Sequence, residues 1–208
     1  MALVRLGEGW LPRIERCLGA LGSPTELPTL RLLAEVLDRV VEWNQKVDLT
    51  AARDADELVD LFVADAAVVA RLHDERGETW VDVGSGAGAP GLTIALLTGA
   101  SLTLVEPKDK RVAFLRTLVG VLALDRVRVE RARSDALASQ RFDVAISRAT
   151  LEPPDWLREG TRIARRATWV LLAKGEAPSA KGWRIDRDEG YALPLTGAPR
   201  RAVRYVPG

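Results

Sequence analysis

Three glycines alternate through Gly84-Ser85-Gly86-Ala87-Gly88, where the segment Trp80-Val81-Asp82-Val83 ends. Val81 and Val83 are β-branched and favour an extended chain, while glycines let backbone turn tightly and approach a ligand with no Cβ in the way. Pro90 suits the first turn of a helix, so a helix is expected over 90–98 with its N-terminus toward a bound group. Glu106 closes the apolar segment Leu102-Thr103-Leu104-Val105, 22 residues after Gly84. A carboxylate there is placed to accept hydrogen bonds from both hydroxyls of a ribose. A surface turn and a strand closed by a solvated Glu have the same composition. The spacing of both segments inside a β-α-β pattern favours an adenosine-bearing cofactor.

Two cofactors compete for the loop. Gly86 to Gly91 satisfies the dinucleotide pattern G-x-G-x-x-G, which is weak alone. The glycines begin earlier, however, giving acid-x-Gly-x-Gly-x-Gly from Asp82 to Gly88. A dinucleotide pyrophosphate wants a helix N-terminus, whereas S-adenosylmethionine carries an ammonium and a sulfonium that a carboxylate such as Asp82 favours. The reading is an S-adenosylmethionine site containing Asp82, Gly84, Gly86 and Gly88, with a nicotinamide dinucleotide as the rival.

These residues need a frame. The first 78 residues read as helical, with Leu30, Leu33, Ala34, Leu37, Val40 and Val41 on one face and Leu58, Leu61, Phe62, Val69 and Leu72 on another. Asp54 and Glu57 have the spacing of a capping box. From Thr79 the pattern alternates, with strands expected at 79–83, 101–105, 127–131, 142–147 and 168–173 and helices at 90–98, 109–123 and 155–166. That alternation implies an α/β fold with a doubly wound, mostly parallel sheet and a ligand at the carboxyl ends of its strands. Trp183–Ile185, Tyr191–Leu193 and Ala202–Val206 suggest a closing antiparallel hairpin. The division expected is a helical N-terminal extension, 1–78, packed on a Rossmann-like domain, 79–208.

Composition narrows the chemistry. The chain has 208 residues, 47% of them hydrophobic, enough to bury one substantial core. No apolar run approaches the ~20 residues of a membrane span, and the start lacks a signal-peptide layout, so a cytoplasmic protein is expected. With one cysteine and one histidine, neither a disulfide nor a Cys/His zinc cluster is expected. Cys17 reads as a buried helix residue, and His73 as a surface residue beside Asp74 and Glu75. Charge is uneven: nine basic residues face fifteen acidic ones in 1–78, against ten and seven in 79–148 and eleven and seven in 149–208. A polyanion is therefore expected to meet the second and third segments, unless their arginines are simply solvated faces.

Five stretches together carry a more specific likeness. They are Trp43-Asn44-Gln45-Lys46-Val47-Asp48-Leu49-Thr50, the glycine loop, Lys110-Arg111-Val112-Ala113-Phe114-Leu115-Arg116, Ile146-Ser147-Arg148-Ala149 and Ala173-Lys174-Gly175. In order and spacing they resemble the ribosomal RNA small subunit methyltransferase G family, also called glucose-inhibited division protein B. The resemblance implies a Rossmann-like class I S-adenosylmethionine-dependent methyltransferase that modifies ring nitrogen 7 of a guanine in small-subunit ribosomal RNA. It further implies that Gly84 and Ala89 line the methionine and ribose side of the donor, that Glu106 holds the ribose, and that Ser134 and Asp135 flank the adenine. Asp135 has an alternative reading as a cap of the short helix that follows. Arg148 is implied at the mouth of the site, orienting the donor or the acceptor nucleotide, with a rim salt bridge as the alternative. Lys174 and the arginines Arg158, Arg162, Arg165 and Arg166 are implied to lie near RNA. No metal is implied.

The chemistry agrees with the residues. Ring nitrogen 7 has an in-plane lone pair and no proton to lose, so attack on a sulfonium methyl needs alignment and desolvation more than a base. Methylation at a pyrimidine carbon needs a cysteine nucleophile, and Cys17 lies far from the loop in sequence. Glu152-Pro153-Pro154-Asp155-Trp156 nearly matches the turn used on exocyclic amines, but it reads better as a helix start with Trp156 in the core. The likeness departs at Leu61 and Phe62, where the family has a basic pair, although the following acid is kept as Asp65. A donor-binding member acting as a regulatory protein, or on another acceptor, is the second reading.

Overall fold

The computed structural model describes residues 3–73 and 77–208, so Asp74 and Glu75 lie outside the described residues. The N-terminal segment is helical as expected. Pro12 and Pro28 stand in the first turns of α1 (Leu11–Ala20) and α2 (Leu27–Asn44), where a missing N–H has no partner to lose. Leu30, Leu33, Ala34, Leu37, Val40 and Val41 of α2 are all buried. Asp54 caps α3 (Ala55–Val59), accepting from the Glu57 N–H at 2.9 Å, while the Glu57 carboxylate reaches back to the Arg53 N–H at 2.7 Å. A π-helical turn, Asp60–Ala64, then joins α3 to α4 (Asp65–Leu72). Leu58, Phe62 and Val69 are buried, whereas Leu61 and Leu72 are only partly so.

From Thr79 the chain builds one seven-stranded sheet in the order β3-β2-β1-β4-β5-β7-β6. Strands β1 (Thr79–Val83), β2 (Ser101–Val105), β3 (Val127–Glu130), β4 (Phe142–Ser147) and β5 (Ala164–Leu172) are parallel. Strands β6 (Trp183–Ala192) and β7 (Pro199–Pro207) add an antiparallel hairpin, with β7 beside β5. Trp183–Ile185 and Tyr191–Leu193, separate in the sequence reading, belong largely to the single strand β6, which has a register shift at Ile185/Arg187. Its run of charged residues suits an edge strand, where charge discourages pairing with another chain.

Helices α5 (Gly91–Thr98), α6 (Asp109–Val121) and α7 (Pro153–Ile163) connect the parallel strands. The sequence reading carried the last helix to 166. Instead it ends at Ile163, because Ala164 already pairs with Phe142 and β5 starts there, placing Arg165 and Arg166 on a strand. Trp156 is buried and donates to the Trp169 carbonyl at 2.8 Å, as a core tryptophan must.

One hydrophobic cluster runs through Trp10, Leu33, Leu37, Val63 and Leu92 to Leu104, Phe114 and Trp169, so the N-terminal helices share a core with one face of the sheet. A second, around Val81, Val105, Trp156, Leu157 and Tyr205, lies under α7. Cys17 is buried, as expected. His73 is not a surface residue: it is buried against Trp80, ring centroids 4.5 Å apart, with Nε2 hydrogen-bonded to the Glu78 carboxylate. Its acidic neighbours in sequence hid the apolar partner that the fold supplies.

The π turn docks the C-terminal hairpin. The fully buried Asp60 carboxylate accepts from the N–H groups of Leu195 and Thr196, at 3.2 and 2.8 Å, and from the Thr196 hydroxyl at 2.7 Å. Asp60→Ala is expected to lower the unfolding free energy by about 2–4 kcal/mol in urea titrations, since buried donors lose a charged acceptor. Amide exchange at Leu195 and Thr196 is expected to accelerate with it.

Candidate functional site

The glycine loop leaves the carboxyl end of β1 and folds over β2. Gly84, Gly86 and Gly88 have φ of +72°, +57° and +99°, in the left-handed region that side chains rarely tolerate. The N–H groups of Gly84 and Ser85 donate to the Val105 carbonyl at 2.8 and 3.1 Å. Glu106, buried at the end of β2, accepts from the Gly86 N–H and the Lys108 N–H, each at 3.0 Å. The expected ribose-binding acid thus also holds the glycine loop against β2.

Beneath the loop, α5 sits directly on β1. The Gly91 N–H donates to Asp82 Oδ2 at 3.0 Å, and a Cβ on Gly91 would lie 2.6 Å from the Asp82 Cβ. Asp82 is 1% exposed, and burial pushes its carboxyl up to about 7, against the lowering pull of the Gly91 N–H and the Arg148 charge; Glu106 adds a smaller push upward. Its Oδ1 has no hydrogen-bond partner among the described residues.

Two cavities of about 410 Å³ each open above the carboxyl ends of the strands. The first is lined by Gly86, Ala89, Glu106, Lys108, Arg111 and Arg148, with Leu49, Thr50 and Phe62 contributed by the N-terminal segment. The second is lined by Arg133, Ser134, Asp135, Leu151, Arg158 and Glu159 among others. Gly84, Pro107 and Thr150 form the wall between them. A Cβ on Gly84 would lie 2.1 Å from the Thr150 Oγ1. Only glycine fits beneath that threonine.

The expected residues divide accordingly. Gly84, Gly86, Ala89, Glu106 and Arg148 meet in the first cavity, and Ser134 and Asp135 in the second, which Gly84 also lines. Asp135 does not cap its short helix: Arg133 holds the cap position, with no side-chain cap bond. Asp82 and Gly88 line neither cavity; a Cβ on Gly88 would lie 3.4 Å from Leu92 and Leu115, and Asp82 serves the α5 N-terminus. Lys174 lies exposed beyond the end of β5, outside both cavities. Arg162 is spent on the Ser134 and Leu137 carbonyls and on Glu159, while Arg165 and Arg166 pair with Asp143 and Glu78 at the amino end of the sheet. Of those four arginines, only Arg158 reaches the site.

Sequence reasoning passed over Leu49, Thr50 and Thr150 as site residues, whereas Phe62 was marked as standing where the resemblance has a basic side chain that would contact the site or the RNA. For the first two the signal was present. Asn44 Oδ1 accepts from the Leu49 and Thr50 N–H groups at 2.9 and 3.0 Å, fixing that loop at the cavity. Arg111 donates to the Asp48 carbonyl at 2.9 Å, and Trp43 packs edge-on against Phe114, centroids 5.5 Å apart. Four of the five stretches that carried the resemblance therefore contribute residues to the first cavity, and Ala173-Lys174-Gly175 does not.

A family model described as rRNA small subunit methyltransferase G matches residues 29–188. The ribosomal RNA small subunit methyltransferase G of Halorhodospira halophila is 39% identical over 170 residues, covering 80% of this chain and 80% of its own. That of Stutzerimonas stutzeri is 33% identical over 190 residues, covering 90% and 87%. Among solved structures, a SAM-dependent methyltransferase from Aquifex aeolicus superimposes with a TM-score of 0.53 at 20% identity, over 72% of this chain and 92% of that one. The structural likeness is one of fold.

The buried Asp82 carboxylate makes a pH prediction. A carboxyl whose folded pKa is raised favours the native state below its ordinary pKa near 4 and loses that contribution as pH rises through about 7. Asp82→Asn keeps an acceptor for Gly91 and carries no charge. Its unfolding free energy is expected to exceed that of the parent by on the order of 2 kcal/mol at pH 8, with the difference shrinking as pH falls through about 7 and vanishing only near pH 4, in urea titrations. Parallel pH profiles would show that the charge is not penalised.

Proposed function

The chain belongs to the rRNA small subunit methyltransferase G family, and from that premise we propose that it methylates ring nitrogen 7 of a guanine in small-subunit ribosomal RNA, with S-adenosylmethionine as donor. The observation that carries the reading is the meeting of the glycine loop, Glu106 and Arg148 in one cavity at the carboxyl ends of the strands.

The residues present fit the donor. A Cβ on Gly86 would meet nothing nearer than 3.9 Å, so that face of the loop is open. Each Glu106 oxygen accepts one backbone N–H and has a lone pair left for a ribose hydroxyl. The Asp82 carboxyl lies buried behind the loop, and a cationic donor bound there would favour its ionised form against the burial that pushes its pKa upward. Bound there, S-adenosylmethionine supplies an electrophilic methyl group on a sulfonium. In this reading Gly84, Gly86 and Ala89 receive its methionine and ribose portion, and Ser134 and Asp135 flank its adenine across the Thr150 wall.

Arg148 is the group proposed to orient the acceptor. Its Nε and Nη2 have no hydrogen-bond partner among the described residues, and the side chain is 24% exposed at the cavity. One N–H of that edge bonded to the guanine O6 carbonyl would orient the base, provided the other donor stays off nitrogen 7, whose lone pair must be free to attack. Because that nitrogen has no proton to lose, the residues must align and exclude water rather than abstract a proton. Leu49 and Phe62 supply the apolar wall. Residues 1–78 are thus read as an extension that completes the cleft of the 79–208 domain. Lys108, Lys110, Arg111 and Lys174 are proposed to face the RNA chain. A cytoplasmic site of action belongs to the same proposal; no helix among the described residues is long and apolar enough to cross a membrane.

Phe62 also supports a second reading, donor binding without transfer to ribosomal RNA, because an aromatic ring lines the cavity where the resemblance has a basic side chain. RNA mass spectrometry separates the two. Deleting the gene is expected to remove one 7-methylguanosine from small-subunit ribosomal RNA, and an unchanged modification profile favours the second reading. Glu106→Gln is expected to weaken S-adenosylhomocysteine binding about tenfold in calorimetry, the scale of losing a charged acceptor. Unaltered affinity would place the ribose elsewhere.

A further inference from the structure

Arg148 is gripped from one side only. Its Nη1 donates to the Leu61 carbonyl in the π turn and to Asp65 Oδ2, the latter at 3.2 Å. Asp65 is itself 4% exposed, and its other oxygen accepts from the Tyr191 hydroxyl at 2.5 Å. Tyr191 comes from β6, 126 residues away in sequence. The turn that follows β6 is fastened to the same π segment by Asp60, so the hairpin is docked at two points around it. Burial and the neighbouring Asp65 charge push the Tyr191 hydroxyl far above its ordinary range, which keeps it a donor at every working pH.

This chain of contacts costs the guanidinium its rotational freedom before any acceptor arrives, so the ordering cost is not met during the reaction. A π turn within a helix is rare and often marks a functional site. Here it presents a carbonyl to Arg148. Resting on the reading of Arg148 given above, we propose that Asp65 and Tyr191 are positioning residues that hold Nη1 of Arg148 and thereby aim its Nε and Nη2 edge at the acceptor base. The C-terminal hairpin is then part of the active arrangement, although it contributes nothing to the lining of either cavity.

The test uses the full-length protein and the variants Tyr191→Phe, Asp65→Asn and Arg148→Lys. Side-chain nitrogen NMR of arginine-labelled protein, with the Arg148 signal assigned by its loss in Arg148→Lys, is expected to show slow guanidinium hydrogen exchange in the parent. Exchange is expected to be faster in Tyr191→Phe and faster still in Asp65→Asn; unchanged exchange in both overturns the clamp. With small ribosomal subunits as acceptor, kcat is expected to fall about threefold in Tyr191→Phe and about tenfold in Asp65→Asn, while KM for S-adenosylmethionine stays within about twofold. In the Arg148→Lys background, Tyr191→Phe is expected to have no further effect on kcat, since the two act as one unit. Multiplying effects would mean that Tyr191 only stabilises the fold, and would overturn the proposal. If Arg148→Lys keeps the parent kcat, the reading of Arg148 fails, and the exchange measurement still decides whether the clamp exists.

Discussion

The contact between the Asp82 carboxylate and the Gly91 N–H governs the rest of this structure. It lets α5 start on top of β1, at a separation that a Cβ on Gly91 would forbid. The chain between them, residues 84–90, must then turn back within a few residues, and three glycines with left-handed φ absorb that turning. The cost is a carboxyl buried with one oxygen unpartnered among the described residues and its pKa pushed upward. Such local cost concentrated beside a ligand site is common where binding, rather than stability, sets the residue.

Everything else about the cleft is built outward from that turn. Glu106 reaches it from β2 and ties Gly86 in place. The Asn44-braced loop brings Leu49 and Thr50 to the opposite wall, and Arg111 bonds that loop to α6. The segment after β4 lays Thr150 over Gly84, with Ala149 at φ +54°, and so divides the space in two. The helical extension and the terminal hairpin meet through Asp60 and Asp65, two buried acids flanking the π turn. A methyltransferase that needs alignment more than proton transfer depends on such a frame.

What could be read from the sequence was local. Strands 79–83, 101–105 and 142–147 stand where β-branched or apolar runs are bounded by turn residues, and they are found there. Arg165 and Arg166 looked like the polar end of a helix, but pairing of Ala164 with Phe142 pulls them into a strand, and tertiary pairing outweighs propensity. His73 looked solvated because of its charged neighbours, and only the fold brings Trp80 and Glu78 to it. Gly84, Gly86, Glu106 and Arg148 were legible because each sits at a strand's carboxyl end. Asp82 and Gly88 share their motif yet lie behind the cavity wall, since a turn needs the same residue types as a ligand does. Thr150 and the Asp65–Tyr191 contact come from segments far apart in the chain, and no periodicity announces them, whereas Phe62 was marked by its departure from the family pattern.

The central claim is that the donor lies along the carboxyl ends of β1, β2 and β3, beneath Thr150. Backbone NMR of the isotopically labelled protein titrated with S-adenosylhomocysteine tests it most directly. The account predicts the largest shifts at Gly84, Ser85, Gly86, Lys108, Ser134 and Asp135, with little change at the opposite end of the sheet. Shifts concentrated instead around His73, Trp80, Ser101 and Arg126, which line a separate cavity at the amino ends of β1 and β2, would contradict it.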